Sequence, residues 1–201
     1  MRSVTRVVAF GVLLALILPG SESAAGTQKI TELDFVFTPN PVSVVLGDTI
    51  TWQNHVQLQH NTTDLSAFHL WDSGLMRSGE TFSYIVTAAS TYPYYCQLHE
   101  RYGMFGTFGA QDQAFPPSGP VGTVFTITVA TDVAPAGSVY DIQKRDPGGT
   151  FQNWMVVTDP SVSFDSTGMV PGPYRFRSRL RRSSDGAVTE YSPAATVRVT
   201  T

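Results

Sequence analysis

The sequence predicts an all-β protein built as two β-sandwiches in series, and three observations predict it. Short runs rich in Val, Thr, Phe and Tyr recur with period-two alternation, with no sustained helical periodicity. The 17 glycines and 13 prolines punctuate those runs without forming a repeat. A chain of 201 residues, 42% hydrophobic and only 14% charged, suits one large or two small domains with buried cores.

The segments follow in chain order. Arg2 and Arg6 precede an apolar run over residues 7–18, then Pro19, Gly20 and the small residues Ser23, Ala24 and Ala25. This is the pattern of an export signal peptide, residues 1–25, cut near Ala25. The run is short for a bilayer, so the expected product is secreted or extracytoplasmic, with no transmembrane span in the mature chain. Residues 26–114 carry three basic against eight acidic side chains, whereas residues 115–201 carry eight against seven. That step, with the proline-rich stretch 115–120, predicts a linker there between a first domain, 26–114, and a second, 121–201. A net charge of -3 without a clustered basic footprint argues against nucleic acid as a partner. The single cysteine excludes an intramolecular disulfide.

In the first domain, alternation places Leu33, Phe35 and Phe37 on one face, and Val42, Val44 and Leu46 in a second segment. Gly47-Asp48 turns the chain into Ile50 and Trp52, and further strands are predicted at 81–86 and 92–96. These read as an antiparallel sandwich, with a bulge or unpaired position expected at Pro93. In the second domain, sandwich-spaced runs occur at 124–129, 139–143, 151–157, 162–164, 174–180 and 195–199. Arg175, Arg177, Arg179 and Arg181 occupy alternate positions, so their guanidinium groups share one face. That face is either solvated and paired across strands or a patch for an anionic surface or polymer.

The chemistry sits in Cys96-Gln97-Leu98-His99-Glu100-Arg101-Tyr102-Gly103-Met104, with His60 upstream as a candidate second histidine. Two imidazoles, a thiolate and a thioether form the ligand set of a blue-copper electron-transfer centre. A buried structural thiol would explain Cys96 alone, but not the Cys, His, Met spacing. Methionine is foreign to structural zinc sites, so copper is preferred. His55 and His69 read as solvated loop residues and Met76 as packing. All four histidines precede residue 100, which leaves no Ser, His, Asp constellation and too few ligands for a multicopper oxidase. The expectation is therefore not an enzyme.

Residues 30–110 resemble a cupredoxin of the plastocyanin type. The resemblance rests on Gly47-Asp48-Thr49-Ile50-Thr51-Trp52, His60-Asn61, Ser73-Gly74, Gly79-Glu80-Thr81-Phe82, Thr91-Tyr92-Pro93-Tyr94-Tyr95-Cys96 and Gly103-Met104-Phe105-Gly106. It implies a Greek-key sandwich in which His60, Cys96 and His99 hold one copper roughly in a plane, with Met104 as the long axial ligand. It further implies that Asn61 ties the His60 loop to the cysteine loop, which discounts the glycosylation sequon at Asn61-Thr62-Thr63. The exposed edge of His99 becomes the expected main electron exit, Tyr95 a second path, and an unidentified redox protein the partner. Leu98 departs from the proline that many such loops carry, and Glu100-Arg101-Tyr102 replaces a smaller stretch containing glycine.

Residues 120–201 resemble a fibronectin type III or related immunoglobulin-like domain. The resemblance rests on a tyrosine-corner pattern, Met169-Val170-Pro171-Gly172-Pro173-Tyr174, and on Tyr191-Ser192-Pro193-Ala194-Ala195. The tryptophan usual in the second strand is absent, so Trp154 is expected to fill the core from another strand. Together the resemblances imply an exported single-electron carrier with an accessory domain. The alternatives are a copper storage or delivery protein, and an adhesion module with a vestigial copper site.

Overall fold

The computed structural model describes residues 25–201, so the signal-peptide segment lies outside the described residues. Eight strands make the first sandwich: β1 (Thr27–Leu33), β2 (Val36–Thr38), β3 (Val42–Val44), β4 (Thr49–Asn54), β5 (Thr63–Asp64), β6 (Thr81–Ile85), β7 (Ser90–Tyr95) and β8 (Phe105–Ala110). They form two sheets, ordered β2-β1-β4-β6 and β3-β8-β7-β5. The expected purely antiparallel arrangement needs correction, because β1 pairs with β4, and β3 with β8, in parallel. The chain crosses between sheets after β2 and again after β3, and so re-enters the first sheet from the same end. Inward positions stack Trp52, Trp71, Tyr92, Tyr94 and Phe108 into one aromatic core.

The Leu33, Phe35, Phe37 face is also corrected. Asp34 and Phe35 form a two-residue turn between paired strands, with Phe35 at φ 60, so the alternation breaks there. Glu32 and Phe37, directly opposite each other, face inward, while Leu33 and Phe35 are exposed. Pro93 produces no bulge against β8. Its carbonyl accepts from Leu65 N–H, on the side where the two-residue β5 has ended, so its missing N–H removes no ladder bond.

The second sandwich comprises β9 (Gln113–Phe115), β10 (Ser118–Pro120), β11 (Val124–Thr128), β12 (Ser138–Arg145), β13 (Gln152–Val157), β14 (Ser161–Asp165), β15 (Gly172–Arg182) and β16 (Ala195–Thr200). Its sheets run β10-β16-β15-β12-β13 and β14-β11-β9. The expected linker at 115–120 is therefore folded structure: β9 pairs with β11, and β10 with β16. Pro120 is compatible with this because β10 is an edge strand. The core holds Phe125, Ile127, Phe164 and Phe176, and Trp154 packs onto Phe176 from β13. The Tyr174 hydroxyl donates to Val170 O at 2.9 Å.

The two sandwiches are bonded to each other. Ser90 and Thr91 hydroxyls donate to the carbonyls of Glu190 and Tyr191, and Gln111 to that of Ala194. Arg182 donates to Phe68 O, and the buried Asp112 carboxylate accepts from Ser178 and Ser192.

Candidate metal centre

Strand β7 delivers Cys96 to one end of the first sandwich, where the thiol is fully buried. The chain then turns through Gln97 and Leu98 to His99 and a 3-10 turn, Glu100–Tyr102. Gly103, at φ 80, ends that turn in a left-handed conformation that a side chain would resist. Met104 returns, fully buried, with its carbonyl accepting from Cys96 N–H and its own N–H donating to His99 O. Thus the sulfur-bearing residues are fastened to each other by backbone bonds before any ion is considered.

His60 arrives from the other loop and pairs backbone-to-backbone with Met76, whose carbonyl also accepts from the Asn54 amide. Its ring is fully buried. Asn61 joins the loops: its Oδ1 accepts from Gln97 N–H at 2.8 Å, and its Nδ2 donates to Thr63 Oγ1 and Gln97 Oε1 at 2.9 Å. The Asn61 N–H points at Cys96 Sγ, 3.5 Å away. Asn61 is itself buried, with no room for a glycan.

Three ligand-type atoms converge. Cys96 Sγ lies 3.4 Å from His99 Nδ1 and 3.8 Å from His60 Nδ1, and the two nitrogens are 3.1 Å apart. A point equidistant from these three atoms lies about 2 Å from each, the length of a metal bond to nitrogen or sulfur. Hydrogen bonding does not explain the convergence, because two imidazole nitrogens and a thiol on one point leave too few protons to share. Burial, and then the neighbouring His99, push His60 down to about 4, and burial also lowers His99. Both imidazoles are therefore neutral near pH 7, the form that binds metal. Burial raises the Cys96 thiol, so metal uptake must displace its proton.

Comparison with known proteins agrees with this geometry. Residues 24–110 match the copper-binding proteins of the plastocyanin/azurin family. Plastocyanin of Scenedesmus fuscus is 32% identical over 85 residues, which is 38% of this chain and 87% of that one. The chain belongs to the plastocyanin/azurin family. Chloroplastic plastocyanin of Hordeum vulgare is 37% identical over 81 residues, 35% of this chain, and the match spans about half, 52%, of that relative. A purple cupredoxin from Nitrosopumilus maritimus, at 20% identity and a TM-score of 0.38, aligns over 41% of this chain and 97% of its own. The family and the convergent His60, Cys96 and His99 atoms give the chain one type 1 copper as its cofactor.

Two features depart from sequence expectation. The edge of His99 is not open: the residue is only 9% exposed. Phe35 stands edge-on to its ring at 5.0 Å, and Tyr102 packs on Phe35 at 4.6 Å. The φ of 60 that spoils the strand alternation at Phe35 is what brings this ring over the histidine, at a backbone cost of about 1 kcal/mol. Gln97 and Met76, which anchor Asn61 and His60, carry no signal in their residue types, because one acts through an amide and the other through its backbone. His55 and His69 are exposed and lie outside the cluster. Tyr95 is half-buried on the face opposite Cys96 and stacks on Phe105.

Proposed function

We propose that this protein is an exported single-electron carrier, not itself an enzyme, whose copper is held by His60, Cys96, His99 and Met104. The observation that carries the reading is the convergence of two imidazole nitrogens and one cysteine sulfur on a single buried point, prearranged by bonds that need no ion. Copper bound there supplies a one-electron Cu(II)/Cu(I) couple with mixed soft and borderline ligands. The chain's own residues keep the ligand set still. Asn61 clamps the two loops, Met76 pins His60, and the Met104 backbone holds the Cys96 turn. Little rearrangement on electron transfer is the property such a carrier needs.

Phe35, Tyr102 and the adjacent Leu98 give His99 a partly exposed apolar surround, suited to brief docking of a redox partner. The electron would leave through His99 and the aromatic rings on it, with Tyr95 and Phe105 as a second route. The second sandwich is read as a fibronectin type III or immunoglobulin-like accessory domain, supported by the Tyr174 hydroxyl's bond back to Val170. No helix among the described residues is long and apolar enough to cross a membrane.

The test is a Cu(II) titration of the reduced protein, followed by visible absorption and electron paramagnetic resonance. An intense blue band at one copper per chain, bleached and restored by reduction and reoxidation, is expected. Met104→Leu should keep the colour and raise the potential. A colourless or rapidly exchanging complex would instead indicate copper storage or delivery.

A further inference from the structure

The core of the copper domain contains a carboxyl that nothing in the ligand set uses. Glu32 is fully buried on β1, opposite Phe37 of β2 and abreast of Asn54 of β4, and neither of its oxygens has a hydrogen-bond partner. Two more buried polar atoms nearby, Trp52 Nε1 and Tyr94 Oη, are also without a well-formed bond. Their rings meet edge to face at 5.3 Å, and Gly106 leaves room for the Tyr94 ring where any Cβ would collide with it. Each unpaired polar atom in a packed core costs on the order of 1–3 kcal/mol, so three residues carrying them side by side need a reason.

The groups facing Glu32 are neutral or acidic. Trp52 and Asn54 face it from β4, Phe37 from β2, and Tyr94 from β7. Its charge also reaches Cys96, raising the thiol. No cation is among the groups that act on it, and burial alone lifts its carboxyl to about 7. Glu32 makes no hydrogen bond to any ligand. But Tyr94, whose ring packs on both Phe37 and Trp52 beside Glu32, lies two residues before Cys96 and shares its inward face, which sets the carboxyl in the core just behind the ligand sulfur. In a low-dielectric interior, coupling between charges so placed is strong and runs both ways.

Resting on the electron-carrier reading, we propose that Glu32 is a proton site coupled to the copper's charge, taking up one proton when the centre is reduced and releasing it on reoxidation. The balance is one electron from a small reductant such as ascorbate and one proton from solvent onto the Glu32 carboxylate, so the buried charge is unchanged. The oxidised centre carries one more positive charge and favours the carboxylate, whereas the reduced centre favours the acid. The potential therefore falls as pH rises through the range in which Glu32 ionises, and is level on either side. His60 and His99, and Asp34 whose charge reaches both of them, are the other titratable groups at the centre. All three remain in a Glu32 variant, so any response of theirs persists there and is separated from that of Glu32.

Two measurements test this. In the copper-free protein, carbon-13 NMR of the glutamate carboxyls, with Glu32→Gln for assignment, should show Glu32 titrating near neutrality. A midpoint in the ordinary carboxylate range overturns the proposal without touching the electron-carrier reading. In the copper-loaded protein, the potential of the wild type should fall between about pH 5 and about pH 9, by at most tenfold in the equilibrium constant, about 59 mV, per pH unit. Glu32→Gln, and Glu32→Leu as a second variant that keeps the core apolar, should both remove that fall while retaining the blue band. Equal slopes in all three proteins overturn the coupling. A wild type that takes up no copper overturns it together with the carrier reading, while the NMR midpoint still reports whether Glu32 holds a proton.

Discussion

The ligand end of the first sandwich and the arginine strand of the second are both rows of reactive side chains, but they use their valences in opposite ways. On β15, Arg177 lies between the rings of Phe151 and Tyr191, at 4.2 and 4.5 Å, and donates twice to Gln143. Arg179 lies over Tyr191, and Arg179 and Arg181 share the Asp141 carboxylate. Three of the four arginines are thus occupied within their own domain, with Arg175 left exposed. At the other site, His60, Cys96 and His99 turn their lone pairs toward one another, and Glu32 keeps both oxygens unpaired. Spacing alone cannot separate these cases. What separates them is whether the donors and acceptors are already matched inside the fold.

The sharpest way to break the contrast is Cys96→Ser, which should abolish the blue band altogether while the sandwich remains folded by circular dichroism. A variant that stays blue would refute the ligand assignment. Next in size is a pH effect at the domain junction. Burial holds the Asp112 carboxyl at about 7 against an ordinary 3.8, even though two serine hydroxyls donate to it. The unfolded chain ionises this group first, so its contribution is full below about pH 4 and is lost as pH rises to about 7, about 4 kcal/mol in all. Urea unfolding of wild type and Asp112→Asn across that range should diverge accordingly, and parallel curves would dispose of the idea. Asn61→Ala should keep the colour but weaken copper binding by about 10–100-fold, read by competition with a chelator. The smallest effect is expected on the arginine strand. Arg177→Ala should cost about 1 kcal/mol in stability and leave binding to anionic vesicles unchanged. If vesicle binding fell while stability held, the strand would be a docking face.

The fold class and most strands of both sandwiches were legible because alternation survives wherever a strand is straight, as at Val42, Val44, Ile50 and Trp52. It failed at Asp34-Phe35, where a turn without glycine or proline interrupts the pattern and sends Glu32, not Leu33, into the core. Strands β9 and β10 were hidden because Pro116 and Pro117 between them and Pro120 at the end of β10 read as a linker, while the edge position of β10 tolerates its proline. The ligand types were legible because few chemistries combine thiol, imidazole and thioether at such spacing. Their supports were not, since Met76 and Met104 act through backbone atoms that every residue shares.

The bonds between the sandwiches include those of Ser90 and Thr91, at the start of the strand that ends beside Cys96. Six residues of extended chain separate Ser90 from the thiol, about 20 Å. The second sandwich thus grips this strand like a handle at the end away from the blade. If that handle is fixed to a larger assembly, the His99 end faces outward, away from the mount.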